Sequence, residues 1–387
     1  MNKENIKILH LITSLDGGGA QDNTLVTISG LKEKGYHVDL AAAPGGKREA
    51  DALKIADNLF FIKALKDNSL SLLSNIIAIY QIFRLLKKND YHIIHTHSSL
   101  AGICGRIAAK MACIPVIIHT VHGFPFHELT GTLKKNILIA FEKLAALMSD
   151  CIITVCRLHL EEMIQREIAP ASKLINIYSG ISLTKFNISK AKEEIKNDLK
   201  ISDDALVVTM IARLAPQKAP GYFVEAAKLI LKEKHGVIFL LVGDGPLREA
   251  ISEQTASIPA IRLMGYREDV PEILKITDVF VLTSLYEGLG RALTEAMISK
   301  IPAVAPSIDG IPEILKNGDN GFLVPTKSPG AVAEKVLILL NNPQLRKKMG
   351  EKAYNTVVPA FTDDIMVDDI EKTYQKALKE KLNIDFT

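Results

Sequence analysis

A chain of 387 residues has room for two domains of ordinary size, and with 48% hydrophobic and 24% charged residues it has the composition of a soluble α/β protein with sizeable cores. The net charge of +3 is too small to point to nucleic acid, and no apolar run reaches the roughly 18–20 residues of a membrane span. The four cysteines, Cys104, Cys113, Cys151 and Cys156, form no C-x-x-C pair or disulfide framework, and the opening "MNKENIKILHLITS" lacks a signal-peptide cleavage site, so a reduced, cytoplasmic setting is expected.

Short apolar runs alternate with helical patterns from the start, which predicts βαβ units on a parallel sheet. In the first half, strands are expected at "IKILHLIT", "HVDLAAA", "LFFIKAL", "HIIHTHS", "PVIIHTVH", "CIITVC" and "LINIYSG", with helices near 20–34, 70–88, 99–111, 133–149 and 157–166. Residues 183–200 turn polar and read as a linker. The alternation then resumes with "LVVTMIARL", "VIFLLVGDG", "IRLMGY", "DVFVLTS", "PAVAPS" and "GFLVP", and helices are expected near 221–234, 246–254, 290–299, 328–341 and 343–356. The stretch "DDIMVDDIEKTYQKALKEKL" reads as one more helix with no strand after it. The expectation is a domain at 1–182, a second at 183–365, and a helical segment 366–387 packing back on the first. Residues 1–182 hold 20 Lys and Arg against 16 acids and nine of the ten histidines, so the halves differ in chemistry.

Open α/β sheets bind ligands beyond the carboxyl ends of their strands, and the unusual residues of the second half fall there. Arg213 and Lys218 follow the first strand of that half, and the turn "GDGP" with Gly243 follows the next. "SLYEGLGRALTEAM" (284–297) follows a third strand and places Gly288, Leu289 and Gly290 at a helix start, with Glu287 before them and Glu295 in the second turn. Free amides at a helix start favour an anion, glycines let a ligand approach the backbone, and Arg and Lys supply balancing cations. Together they describe a diphosphate site. Glu295 is placed to accept ribose hydroxyls and Glu287 to face the ligand beyond the phosphates, which fits a nucleotide sugar. Taken singly, an acid in a helix's first turns also simply favours the dipole.

"EGLGRALTEAM", "IPAVAPSIDGIPEIL" and "NGFLVP", together with "ARLAPQK", "GDGP", "GGGAQ" and "HTVHGF", resemble the signatures of family 4 retaining glycosyltransferases over nearly the whole chain. The resemblance implies a GT-B fold of two Rossmann-like, doubly wound domains facing a cleft. It implies that Arg213 and Lys218 hold the donor diphosphate, that Glu295 binds ribose, that Glu287 contacts the donor sugar, and that no metal or other cofactor is required. The family's Lys-Gly departs here to Lys218-Ala219-Pro220-Gly221, which shifts the helix start but keeps the charge.

In the first half, "LDGGGAQ" follows the first strand and opens a helix. Asp22 stands at the third glycine position of a dinucleotide fingerprint, so NAD is disfavoured. The resemblance places this loop, with Gly18 and Gly19, near donor phosphate and acceptor. His95 and His97 share one strand face, a start for a metal site, but no third ligand has suitable spacing. His122 with Gly123 matches the family's His-Gly pair, which approaches the donor sugar at the reacting centre.

These features describe a retaining transferase that moves a sugar from a nucleoside diphosphate donor to a carbohydrate or lipid-linked hydroxyl acceptor, with Glu287 and His122 as its catalytic residues. A nucleotide-sugar epimerase of the same fold and a non-catalytic nucleotide-sugar-binding subunit are the alternatives. Between Lys63 and Lys143, ten Lys and Arg oppose four acids. Ile137, Leu138, Phe141 and Leu144 stand at helical spacing beside Lys134 and Lys135, either as a face packed on the sheet or as a dock for an anionic inner membrane surface.

Overall fold

The computed structural model describes residues 2–16, 18–65, 72–126 and 130–386. The chain divides into two compact units, Met1–Gly180 with Asp363–Thr387, and Ile181–Thr362. The first unit is built on a parallel sheet of β1 (Lys7–Leu11), β2 (His37–Ala42), β3 (Leu59–Phe61), β4 (Ile93–His97), β5 (Val116–Val121), β6 (Cys151–Thr154) and β7 (Leu174–Asn176), in the order β3-β2-β1-β4-β5-β6-β7. The central strands are covered on both faces, which is why they read as nearly continuous apolar runs. Successive side chains alternate between the two faces. Ile8, Val38 and Ile118 join the core beneath helices Gly19–Glu33 and Asp363–Leu382. Leu9, Leu11, Ile94 and Ile117 join the core beneath helices Leu72–Asn89 and Ser99–Ala112.

The Asp363–Leu382 helix is part of the first unit's core. Met366, Val367, Ile370, Tyr374 and Leu378 lie in the same cluster as β1 and β2. Its Glu371 pairs with Lys3 at 2.7 Å and Lys34 at 2.9 Å and accepts from Tyr36. Burial alone would raise this carboxyl's pKa, but those three partners hold it below its ordinary value. Gly30, in the facing helix, permits the close approach: a Cβ there would stand 2.6 Å from a Val367 methyl.

The Thr132–Leu147 helix faces the opposite way from the one expected if its apolar residues packed on the sheet. Glu142 points inward to a buried ion pair with Arg106 of the Ser99–Ala112 helix, 3.1 Å away, alongside buried Ala145 and Ala146. Leu138 is half-buried, while Leu133, Ile137, Phe141, Leu144 and Leu147 are exposed. Leu72, Leu73, Ile76, Ile77 and Tyr80 of the Leu72–Asn89 helix are exposed too, and the Ser99–Ala112 helix packs against both of these helices. The basic segment around them includes Lys66, Asp67 and Glu128, which lie outside the described residues.

The second unit has a parallel sheet of β8 (Leu206–Ile211), β9 (Val237–Val242), β10 (Ile261–Gly265), β11 (Val279–Val281), β12 (Ala303–Pro306) and β13 (Gly321–Val324), in the order β10-β9-β8-β11-β12-β13. The polar stretch read as a linker belongs to this unit. Within it, helix Lys192–Asp198 turns Ile195 into a core with Ile201, Val207, Leu240 and Ile273. Both chain crossings fall at a single place, where Ile181 N donates to Phe361 O and bridges Thr362.

The Gly30–Val367 contact gives a stability test. Gly30→Ala would gain up to about 1 kcal/mol of helix propensity, but overpacking against a branched side chain costs roughly 1–3 kcal/mol. The expected net result is a lower melting temperature for Gly30→Ala, recovered when it is combined with Val367→Ala. Calorimetric scans of the three variants check this.

Candidate active site

In the second sheet the order reverses between β8 and β11, and the carboxyl ends at such a point leave a crevice for a ligand. The loops leaving β8 and β11 are tied together there. Leu285 N donates to Gln217 O (2.8 Å), Gln217 Nε2 to Tyr286 O (2.9 Å), and the Thr283 hydroxyl to the carbonyls of Lys218 and Ala219. This brings Lys218 and Glu287 into a direct ion pair, with Ser284 Oγ donating to the same carboxylate oxygen at 2.6 Å. The Glu287 amide is held in turn by Asp309 Oδ2 at 2.6 Å. Glu287 is buried and Lys218 half-buried, so the pair is shielded without being sealed.

Arg213 stands nearby in sequence but exposed; its carbonyl accepts from Ala215 N at 2.8 Å, while among the described residues its guanidinium has no ion-pair or hydrogen-bond partner. Gly290 caps the Arg291–Ile298 helix with φ of 83°, a left-handed conformation in which glycine is unstrained. Of its first four amides, Leu293 N and Thr294 N donate to the cap carbonyl Gly290 O at 2.9 and 3.1 Å. The Gly288 carbonyl accepts from Gly310 N at 3.0 Å, and Leu289 is buried, anchoring the loop. Glu295 is the fifth residue of the helix and pairs with Arg291 Nε at 3.1 Å. Gly243 follows β9 and lies against the β8 loop, where any Cβ would stand 1.9 Å from Ala212 O. Sequence reading missed Arg291, Ser284 and Asp309. Arg291 was accessible as an i,i+4 partner of Glu295, whereas Asp309 carries no local signal of its contact with Glu287.

The first sheet reverses between β1 and β4. Gly18 and Gly19 sit exposed at the start of the Gly19–Glu33 helix, while Gly17 lies outside the described residues. Asp22 pairs with Arg48. Thr13, after β1, is bonded to Ser98, after β4, through their hydroxyls at 2.6 Å. The Gly18, Gly19 and His122 positions thus belong to the first unit, and Arg213, Lys218, Glu287 and Glu295 to the second.

The register of β1 and β4 sets His10 directly beside His95. His10 is the third imidazole that spacing along the sequence did not reveal, and one nitrogen from each of His10, His95 and His97 lies within 4.8 Å of the others. Both nitrogens of each ring are engaged in hydrogen bonds. His10 Nδ1 meets His97 Nε2 at 2.9 Å, and His97 Nδ1 meets His122 Nε2 at 3.1 Å. Tyr374 Oη lies 3.3 Å from His10 Nε2 and 2.5 Å from His95 Nδ1, and His95 Nε2 lies 2.7 Å from Thr120 Oγ1. A metal ion would have to replace several of these bonds. Burial lowers all four imidazoles, His10 to about 3 and His122 to about 4, so the rings are neutral at pH 7.

Residues 17–185 match the family described as Glycosyltransferase Family 4, and residues 191–356 that of glycosyl transferases group 1. The chain is 32% identical to the UDP-Gal:alpha-D-GlcNAc-diphosphoundecaprenol alpha-1,3-galactosyltransferase of Escherichia coli, over 95% of this chain and 96% of that protein. It is 25% identical to the capsular polysaccharide biosynthesis glycosyltransferase CapM of Staphylococcus aureus, over 97% and 99%. In fold it is similar to Anabaena HepE, solved with UDP and glucose (TM-score 0.83, 19% identity, 96% of this chain and 100% of that one). It is also similar to a sucrose-phosphate synthase from Thermosynechococcus elongatus (TM-score 0.82, 18% identity, 97% and 100%). With matches over both halves and two parallel-sheet units of the GT-B fold, the chain belongs to the group 1, family 4 glycosyltransferases.

Proposed function

We propose that this glycosyltransferase moves a sugar from a nucleoside diphosphate sugar, of the UDP class, to a hydroxyl of a lipid-diphosphate-linked or polysaccharide acceptor, retaining the donor's anomeric configuration. The observation that carries this reading is the Lys218–Glu287 pair at the β8/β11 crevice, beside a glycine-capped helix start. The substrates named for the E. coli relative support the donor and acceptor classes.

In this reading Arg213 and Lys218 neutralise the leaving diphosphate together with the helix amides, and Gly18 and Gly19 are donor-binding positions of the first unit. The close turn at Gly243 keeps side chains clear of the ligand. Glu295 accepts the ribose hydroxyls and Arg291 steadies it. The acceptor oxygen bonds to the anomeric carbon on the face from which the diphosphate departs, and the acceptor's proton passes to the leaving phosphate oxygen. Protein cations then do what a metal ion would otherwise do. Glu287 and His122 stabilise the sugar as positive charge develops, so catalysis is mainly positioning and preorganised electrostatics.

The acceptor's setting follows from the inverted Thr132–Leu147 helix. Among the described residues no helix is long and apolar enough to cross a membrane. A contiguous exposed apolar surface marks an interaction site, and here it is flanked by Lys134, Lys135 and Lys143. Each basic residue near an anionic bilayer adds about 1 kcal/mol. The first unit therefore docks on an anionic membrane face that carries the acceptor.

Glu295→Gln is expected to weaken UDP binding roughly 10- to 150-fold, the loss of a charged hydrogen bond. Unchanged calorimetric affinity would remove Glu295 from the ribose role. Arg213→Ala and Lys218→Ala should lower kcat more than they raise donor KM, because diphosphate charge grows as the bond breaks. NMR of the product should show the donor's configuration, and an inverted product would overturn the mechanism. In flotation assays the protein should rise with phosphatidylglycerol vesicles at low salt. Lys134→Glu with Lys135→Glu should weaken that binding, and Phe141→Asp should weaken it even in the presence of both lysines. A protein that stays at the bottom of the gradient has no such dock.

A further inference from the structure

Four histidines of the first unit lie in one unbranched chain of hydrogen bonds: His122, His97, His10, Tyr374, His95 and Thr120 in that order. We propose that this buried chain fixes the tautomer of His122, holding its proton on Nδ1 and its lone pair on Nε2. His97, His10, Tyr374, His95 and Thr120 are then positioning residues. The inference rests on the reading that His122 faces the donor sugar.

A neutral imidazole has one N–H and one lone pair, and a hydroxyl has one proton to give. Every link in the chain needs one proton, so three arrangements supply all of them: every hydrogen pointing toward His122, every hydrogen pointing away, or both neighbours donating to Tyr374, which strands the phenol's own proton in the core. The buried end decides between the first two. Thr120 is 3% exposed, and among the described residues its hydroxyl has no hydrogen-bond partner except His95. If His95 donates to Thr120, the hydroxyl proton is stranded in the core. If Thr120 donates to His95, no proton is stranded. A buried donor without an acceptor is disfavoured by roughly tenfold or more, so the hydrogens run toward His122. His95 Nδ1–H then donates to Tyr374, Tyr374 to His10 Nε2, His10 Nδ1–H to His97, and His97 Nδ1–H to His122 Nε2.

The other end faces a different environment. His122 is part-exposed, and its Nδ1 has no partner among the described residues. The tautomer of a histidine is set by the bond its other nitrogen makes, so His122 presents an N–H donor and no base. That suits a residue stabilising a sugar oxygen during transfer, and it agrees with the acceptor's proton going to the leaving phosphate. Burial of the neighbouring rings keeps the chain from taking up a proton near pH 7.

The test is long-range proton–nitrogen NMR of full-length protein labelled with nitrogen-15 histidine and saturated with UDP, with the His122 signals assigned by their loss in His122→Gln. The expected form is Nδ1–H, and an Nε2–H or doubly protonated His122 at pH 7 overturns the inference. Two variants separate tautomer control from packing. In Tyr374→Phe the broken chain still ends on a lone pair at His10 Nε2, so His122 should stay Nδ1–H even as the melting temperature falls. His97→Leu removes the donor to His122, and it should release the Nε2–H form and lower kcat about tenfold or more with donor KM little changed. A His122 tautomer that is unaltered in His97→Leu overturns the inference. His122→Asn, whose amide can replace Nδ1–H, should keep more turnover than His122→Gln. Full kcat in both variants would instead overturn the placement of His122 at the sugar, leaving the tautomer result to stand by itself.

Discussion

An imidazole sealed inside a parallel sheet must find a partner for each ring nitrogen, because water cannot reach it and unpaired buried polar atoms are costly. The register of β1 against β4 places His10 beside His95, with His97 two residues on along the same face. Three imidazoles in that space cannot all be satisfied by the strands that carry them. The missing hydroxyl comes from Tyr374 on the Asp363–Leu382 helix, which is drawn into the first unit by an apolar face and by Glu371. The return of the chain to the first unit and the closure of that unit's core go with this pairing.

The second unit follows the opposite electrostatic policy. Its key groups are charged, sit at the mouth of a crevice, and are held by backbone and hydroxyl bonds that still leave Lys218 part-exposed. An ion pair in such a position keeps both groups oriented, and a ligand's phosphates can then compete for the cation. The guanidinium of Arg213, exposed and without a partner among the described residues, is more readily available. The first unit thus holds neutral, hydrogen-bonded rings, and the second holds charge that a ligand can displace.

Much of this was legible in the sequence, and for physical reasons. Strands buried on both faces leave apolar runs, so the strands of both sheets coincide with stretches such as "VIFLLV" and "VIIHTV". Residues just past those runs fall at strand ends, which is where Lys218, Glu287 and His122 lie. The polar stretch 183–200 misled because a short helix needs only a residue or two, here chiefly Ile195, to hold it to a core. Ile137 and Phe141 left two readings open, because helical spacing shows that a helix has an apolar face without showing where it points. The Arg106–Glu142 pair turned that face outward. His10 and Tyr374 were invisible as partners, since no periodicity connects residues 364 positions apart.

The two crossings between the units lie side by side at Ile181 and Thr362, so the second unit is a continuous insertion whose ends meet, while the first is made of two separate lengths of chain. During synthesis, at about 5–20 residues per second, the stretch 181–362 occupies the ribosome for roughly 10–40 s before Tyr374 can appear. Over that interval the first sheet waits with Ile8, Val38 and three imidazoles uncovered, although the inserted unit already has every residue it needs to fold. The first unit therefore gains its last core helix only after the whole inserted unit has been synthesised. For the same reason the inserted unit is the natural cassette for exchange between relatives. It can be cut out at two adjacent peptide bonds, whereas any cut through the first unit separates the sheet from the helix that completes it.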